Sequence, residues 1–202
     1  MVNYINGFSI VIKSLAGAPP YQNICRIGNK EYRGMERAHL EDDLVADYYA
    51  KKLPPEISRI MASENKESSE WPFFNYIKDY ADAVKVLELI NSRNNRNELI
   101  AISSDEITKA KGSIEFDAAK IEWLGYDIMR IGGESMILNG LFFKPDRFAR
   151  WIDVINEYGL FPMKETIQEY IEDYIEIAKD NSIEPYGSTD LGFDAIRVGR
   201  IL

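Results

Sequence analysis

Cysteine and histidine are almost missing from this 202-residue chain; Cys25 and His39 are its only ones. A single cysteine excludes an internal disulfide framework and fits a reducing compartment. A single histidine leaves too few nitrogen and sulfur ligands for zinc, which takes three or four. The run His39-Leu40-Glu41-Asp42-Asp43 does carry ligand types, but on a helix only Asp42 or Asp43 shares the histidine's face. It reads better as a first helical turn whose acids favour the dipole. Phosphate-cradling glycine loops are missing too, since neither G-x-x-x-x-G-K-[ST] nor G-x-G-x-x-G occurs. No cofactor and no metal are therefore expected. No window approaches the roughly 20 apolar residues of a membrane-spanning helix. The stretch FSIVIKSLAGA ends in a small-residue site, Ala16-Gly17-Ala18. No Lys or Arg precedes it, however, and Lys13 breaks its apolar run, so it does not read as a signal peptide. A cytoplasmic protein is expected.

Positive charge is also scarce. Lys and Arg number 24 against 33 Asp and Glu, giving a net charge of −9. Such a field repels phosphate backbones and anionic membranes, so direct binding to either is not expected. A basic protein is the natural complement, and plain solubility is the competing explanation. The 46% of hydrophobic and 12% of aromatic residues are enough for a real core. The length fits a single domain.

Residues 1–34 read as irregular apart from a strand at Phe8–Ile12, with a proline-blocked loop at 17–23. Leu40, Leu44 and Tyr48 mark a helix over 35–53. Pro54-Pro55 ends it and opens a short helix at about 55–62. The polar run 63–70 is the best candidate for a flexible loop. Phe73, Ile77, Tyr80, Val84 and Leu87 predict a helix from Trp71-Pro72 to Asn91. A buried strand is expected at 98–103, then one or two helical turns at 104–112 with Ser104 as cap. Strand follows over 114–131, with a break near Ala118-Ala119. Pro145 opens another helix, with Phe148, Trp151, Ile152 and Ile155 on one face, which stops at Gly159. The last helix runs over 162–181, and a final strand over 193–202. Helices and strands mix without regular βαβ alternation, so the expected class is α+β, with several helices on a small, mostly antiparallel sheet.

Two stretches could carry chemistry. Gly133-Glu134-Ser135-Met136-Ile137 fits four places of the G-x-S-x-G nucleophile elbow. Ile137 replaces the glycine that lets the helix pack close to the strand. His39 lies far upstream, so Ser135 reads as a turn or cap residue in a core hairpin or strand-to-helix corner. Carboxylate pairs abound, but 33 acids produce them by chance, and none is marked as a hydrolytic pair. The last helix is more specific. Glu165, Glu169, Glu172 and Glu176 sit at i, i+4, i+7 and i+11, a stripe roughly 60° wide, with Asp173 beside it. Ile167, Tyr170, Ile171, Tyr174 and Ala178 centre on the opposite side. Like charges at i, i+4 cost a few tenths of a kcal/mol per pair. The stripe is thus either an ordinary solvated face or a ridge for a partner's Lys and Arg. Tyr32, Tyr48, Tyr80, Tyr158, Tyr170 and Tyr174 each directly follow an acid, a pairing that also suits a surface meeting a basic protein.

Residues 123–161 resemble small bacterial immunity proteins that accompany the toxins of contact-dependent growth inhibition and related polymorphic systems. The resembling elements are Leu124-Gly125-Tyr126-Asp127-Ile128, the following Gly-x-Ser, and the helix ending in Tyr158-Gly159-Leu160-Phe161. The resemblance implies a cytoplasmic, non-enzymatic inhibitor that binds one cognate toxin, often a basic nuclease. Glu165, Glu169, Glu172, Asp173 and Glu176 are the expected partner-binding residues. The alternatives are another acidic interaction protein, such as a phage anti-defence factor or nucleic-acid mimic, and a carboxylate-based hydrolase.

Overall fold

The computed structural model describes residues 2–12, 24–27, 30–33, 51–60, 76–94, 97–105, 108–109, 112–130, 149–151, 153–156, 158–178 and 193–202. In chain order its strands are β1 (Val2–Ile5), β2 (Gly7–Ile12), β3 (Ile24–Ile27), β4 (Lys30–Arg33), β5 (Tyr76–Ile77), β6 (Asn97–Ser103), β7 (Ile114–Asp117), β8 (Ile121–Arg130) and β9 (Phe193–Ile201). Its main helices are α1 (Tyr80–Asn94) and α2 (Glu165–Ala178). The class is α+β, as expected.

A five-stranded sheet of order β5-β2-β6-β9-β8 carries the structure, and every neighbouring pair in it is antiparallel. β6 lies in the middle because its sequence is apolar on both faces: Leu99, Ile100, Ala101 and Ile102 are all buried. Side chains alternate along a strand, so Leu99 and Ala101 share one face and Ile100 and Ile102 the other. The first face packs with Phe8 and Ile10 of β2, Ala83, Val86 and Ile90 of α1, and Leu53, Ile57 and Ile60 around a helical turn at 55–60. On the second face, Ile196 and Val198 join Ile100 and Ile102 in complete burial.

Two smaller ribbons have two strands each. β1 pairs with β7, and β3 with β4. Phe116 of β7 joins Phe8 and Tyr80 in a ring cluster with centroids 5.0–5.3 Å apart. Asn6, fully buried between β1 and β2, pins the turn after β6. Its amide donates to Thr108 Oγ1 and the Gly112 carbonyl, and its Oδ1 accepts from the Ser104 backbone N–H at 2.7 Å.

Several elements differ from the sequence reading. β1, β3 and β4 occupy a region that reads as irregular. The helix expected from Trp71 starts instead at Tyr80. Asp79 accepts from the Asp82 N–H at 2.9 Å and caps it, while Tyr76 and Ile77 pair with β2. Ile77 still reaches the core it was expected to face, but from a strand. The break near Ala118 is a 3-10 turn capped by Asp117, whose carboxylate accepts from Ala119. Residues 35–50 of the helix expected over 35–53, the loop 63–70, His39 and the Gly-x-Ser corner at Ser135 lie outside the described residues, while Lys51–Leu53, the expected end of that helix, are not helical, Lys51 having a φ of +57°.

Candidate functional site

α2 presents two unlike faces. Ile167, Tyr170 and Tyr174 are buried, whereas Glu165, Glu169, Glu172 and Glu176 are exposed. The spacing expected from the sequence thus gives a real ridge. Glu172 accepts from Gln168 at 3.0 Å. Among the described residues, no Lys or Arg lies within ion-pair distance of Glu165, Glu169, Glu172 or Glu176, and the nearby Lys164 is taken by Asp105.

Asp173, expected on the same surface, sits at its margin and is held inside the chain. Its Oδ2 accepts from the Trp151 indole N–H at 2.8 Å and pairs with Arg150, leaving its side chain 22% exposed. Arg150 also lies over the Trp151 ring at 4.8 Å. A charge-assisted bond to a largely buried donor is worth about 1.5–3 kcal/mol, so Asp173 fixes the ridge in place more than it extends it.

The underside of α2 is an aromatic block. Tyr170 meets Trp151 at 5.4 Å and Phe161 at 5.3 Å, both in edge-on geometry, and stacks beside Tyr174 at 6.5 Å. Such pairs contribute about 0.5–1.5 kcal/mol each beyond area burial. Burial pushes the Tyr170 phenol well above its ordinary pKa, helped by Tyr174, Asp127 and Asp173. The folded pKa is raised, so this group's contribution is complete below the unfolded value of about 10 and declines as pH rises past it. Tyr170→Phe is therefore expected to soften the alkaline loss of stability above about pH 10, as read by urea midpoints across that range. An unchanged slope contradicts the assignment.

The block hangs from β8 through Gly125-Tyr126 and Leu160-Phe161. Tyr126 donates to the Phe161 carbonyl at 2.8 Å, and Phe161 donates back at 2.9 Å. Gly125 permits this approach. Its φ is +147°, and a Cβ there would lie 2.7 Å from the Phe161 oxygen and 2.9 Å from Leu160 Cβ. Asn156 ties the turn between them. Its Nδ2 donates to the Leu124 carbonyl at 2.7 Å, and its Oδ1 accepts from Tyr158 and Leu160 N–H groups. Asn156→Ala strands one carbonyl and two amides, a loss of about 2–3 kcal/mol, measurable by urea unfolding. A loss under about 0.5 kcal/mol contradicts the role.

No protein-family model matches the chain. Neither a curated protein nor a solved structure matches it. Among the described residues, no group of three or more His, Cys, Asp and Glu could hold a metal ion, and no helix is long and apolar enough to cross a membrane.

The ridge offers negative charge on a fixed frame. Sequence reasoning places its four glutamates correctly and misses the internal bonds of Asp173. Those bonds reach residues more than twenty positions earlier in the chain, and nothing in the local pattern announces them.

Proposed function

We propose that this chain is a cytoplasmic, non-enzymatic immunity protein that neutralises one basic toxin domain, of nuclease type, by covering its substrate-binding surface. The observation that carries the reading is the α2 ridge: four exposed glutamates, unpaired with any described cation, on a helix whose other face is locked into an aromatic block. Like-charge neighbours on a helix work against its stability, and an external positive surface would offset that repulsion. The net charge of −9 adds steering of a basic partner. The resemblance of residues 123–161 to immunity proteins supplies the class of partner. In this mechanism the ridge pairs with the Lys and Arg that the toxin uses for its own substrate, and the substrate is shut out.

An immunity gene lies just downstream of its toxin gene. Expressing this chain together with the toxin domain encoded upstream should restore growth. Continued killing at matched protein levels, or no toxin gene upstream, sinks the proposal.

A further inference from the structure

Three arginines among the described residues lie over aromatic rings, and two of them also have a carboxylate. Arg150 sits over Trp151 and pairs with Asp173. Arg200 sits over Tyr158 at 5.6 Å and pairs with Glu122 at 3.0 Å. Arg197 has the closest ring of the three, Trp123 at 4.0 Å, yet no carboxylate lies within ion-pair distance of it among the described residues.

The arrangement around Arg197 is built into the sheet. Ser103, Arg197 and Tyr126 are in register across β6, β9 and β8, so their side chains share one face. One step along, Trp123 lies opposite Gly199. A Cβ on Gly199 would stand 2.9 Å from Trp123 Cε3 and 2.5 Å from Ile121 Cγ2. The missing side chain thus makes room for the indole beside β9, with the guanidinium carbon 4.0 Å from its ring centre. All four residues around this point, Ser103, Trp123, Tyr126 and Arg197, are half-buried. A guanidinium that spends its π face on a ring still has its N–H donors to offer, and they match a carboxylate as a two-pronged acceptor.

We infer that the Trp123–Arg197 pair is a docking point for an acidic side chain of a partner polypeptide, which supplies the carboxylate that the other two arginines receive from their own chain. Carboxylate is favoured over phosphate because a net charge of −9 repels a dianion more strongly than a monoanion. Trp, Tyr and Arg are also the residues in which interface binding energy concentrates. The site is separate from the α2 ridge and opposite in sign, so it stands or falls without the immunity reading.

The test is a titration of the isotope-labelled full chain with N-acetyl-glutamate amide, following the Trp123 indole N–H and the Arg197 Nε–H by NMR. The glutamine analogue, sodium chloride and inorganic phosphate serve as parallel arms. The inference predicts a saturable shift at both groups with the glutamate compound alone, an unmoved Trp151 indole, and binding weakened roughly tenfold or more in Arg197→Gln, as expected for loss of a charged two-point contact. A linear drift shared by chloride or by Arg197→Gln overturns it. Phosphate binding more tightly than the glutamate compound overturns the choice of carboxylate.

Discussion

Gly125→Val is expected to destabilise the chain by on the order of 4 kcal/mol, among the largest effects of a single substitution here. Two penalties act together. The backbone has φ of +147°, a conformation that β-branched side chains avoid. The added Cβ would also meet the Phe161 carbonyl at 2.7 Å and the Asn156 amide at 3.2 Å. That carbonyl cannot withdraw freely, because it accepts the Tyr126 N–H. Moving it drags Phe161, which contacts Trp151 at 5.8 Å and Tyr170 at 5.3 Å. The strain therefore reaches α2, whose ridge then loses its fixed seat. Urea unfolding of wild type and variant measures the loss. A change below about 1 kcal/mol would mean that the β8–Phe161 junction is not the tight joint its geometry indicates.

The second large effect concerns association. Replacing Glu165, Glu169 and Glu172 by lysine should slow binding to a basic partner by about ten- to a thousandfold at low salt, the range over which electrostatic steering acts. The reduction should fade as ionic strength rises, because exposed charges are screened over about 8–10 Å. Total charge alone could produce a similar trend. The control is therefore the same reversal at Glu56, Glu88 and Glu115, which are also exposed but lie elsewhere. Stopped-flow association over a salt series separates the two. If both triple variants slow equally, only net charge matters. If neither slows, the ridge is merely solvated. All three α2 positions face away from Tyr170 and Tyr174, so helix stability should change little and the kinetic effect can be read cleanly.

Much of the fold is legible in the sequence where one physical rule dominates locally. The continuous apolar run of β6 marks a central strand, Ile167, Tyr170 and Tyr174 at helical spacing mark the buried side of α2, and the break before β8 follows from Asp117 and the two alanines after it. The start of α1 is misread because Phe73 and Ile77 fit a helical period, while the deciding feature is the Asp79 cap together with pairing of Tyr76 and Ile77 to β2. β1 and β7 pair across more than a hundred residues, Val2 with Asp117 and Ile5 with Ile114. Short strands of this kind owe their existence to a distant partner, which periodicity does not show. The site follows the same division. The four glutamates are readable because α2 alone sets their spacing. The bonds of Asp173 to Trp151 and Arg150, and the seat of Trp123 over Gly199, arise only when separate elements meet.

Recognition of a basic protein by the α2 ridge is the core of the proposed function. Its most direct test is capture from a lysate of the source cell, with wild-type chain and the Glu165, Glu169 and Glu172 lysine variant as parallel baits at low and high salt. One stoichiometric basic partner, encoded just upstream, should be held by the wild type and lost from the variant at low salt. A partner retained equally by both baits, or none under either condition, contradicts this recognition.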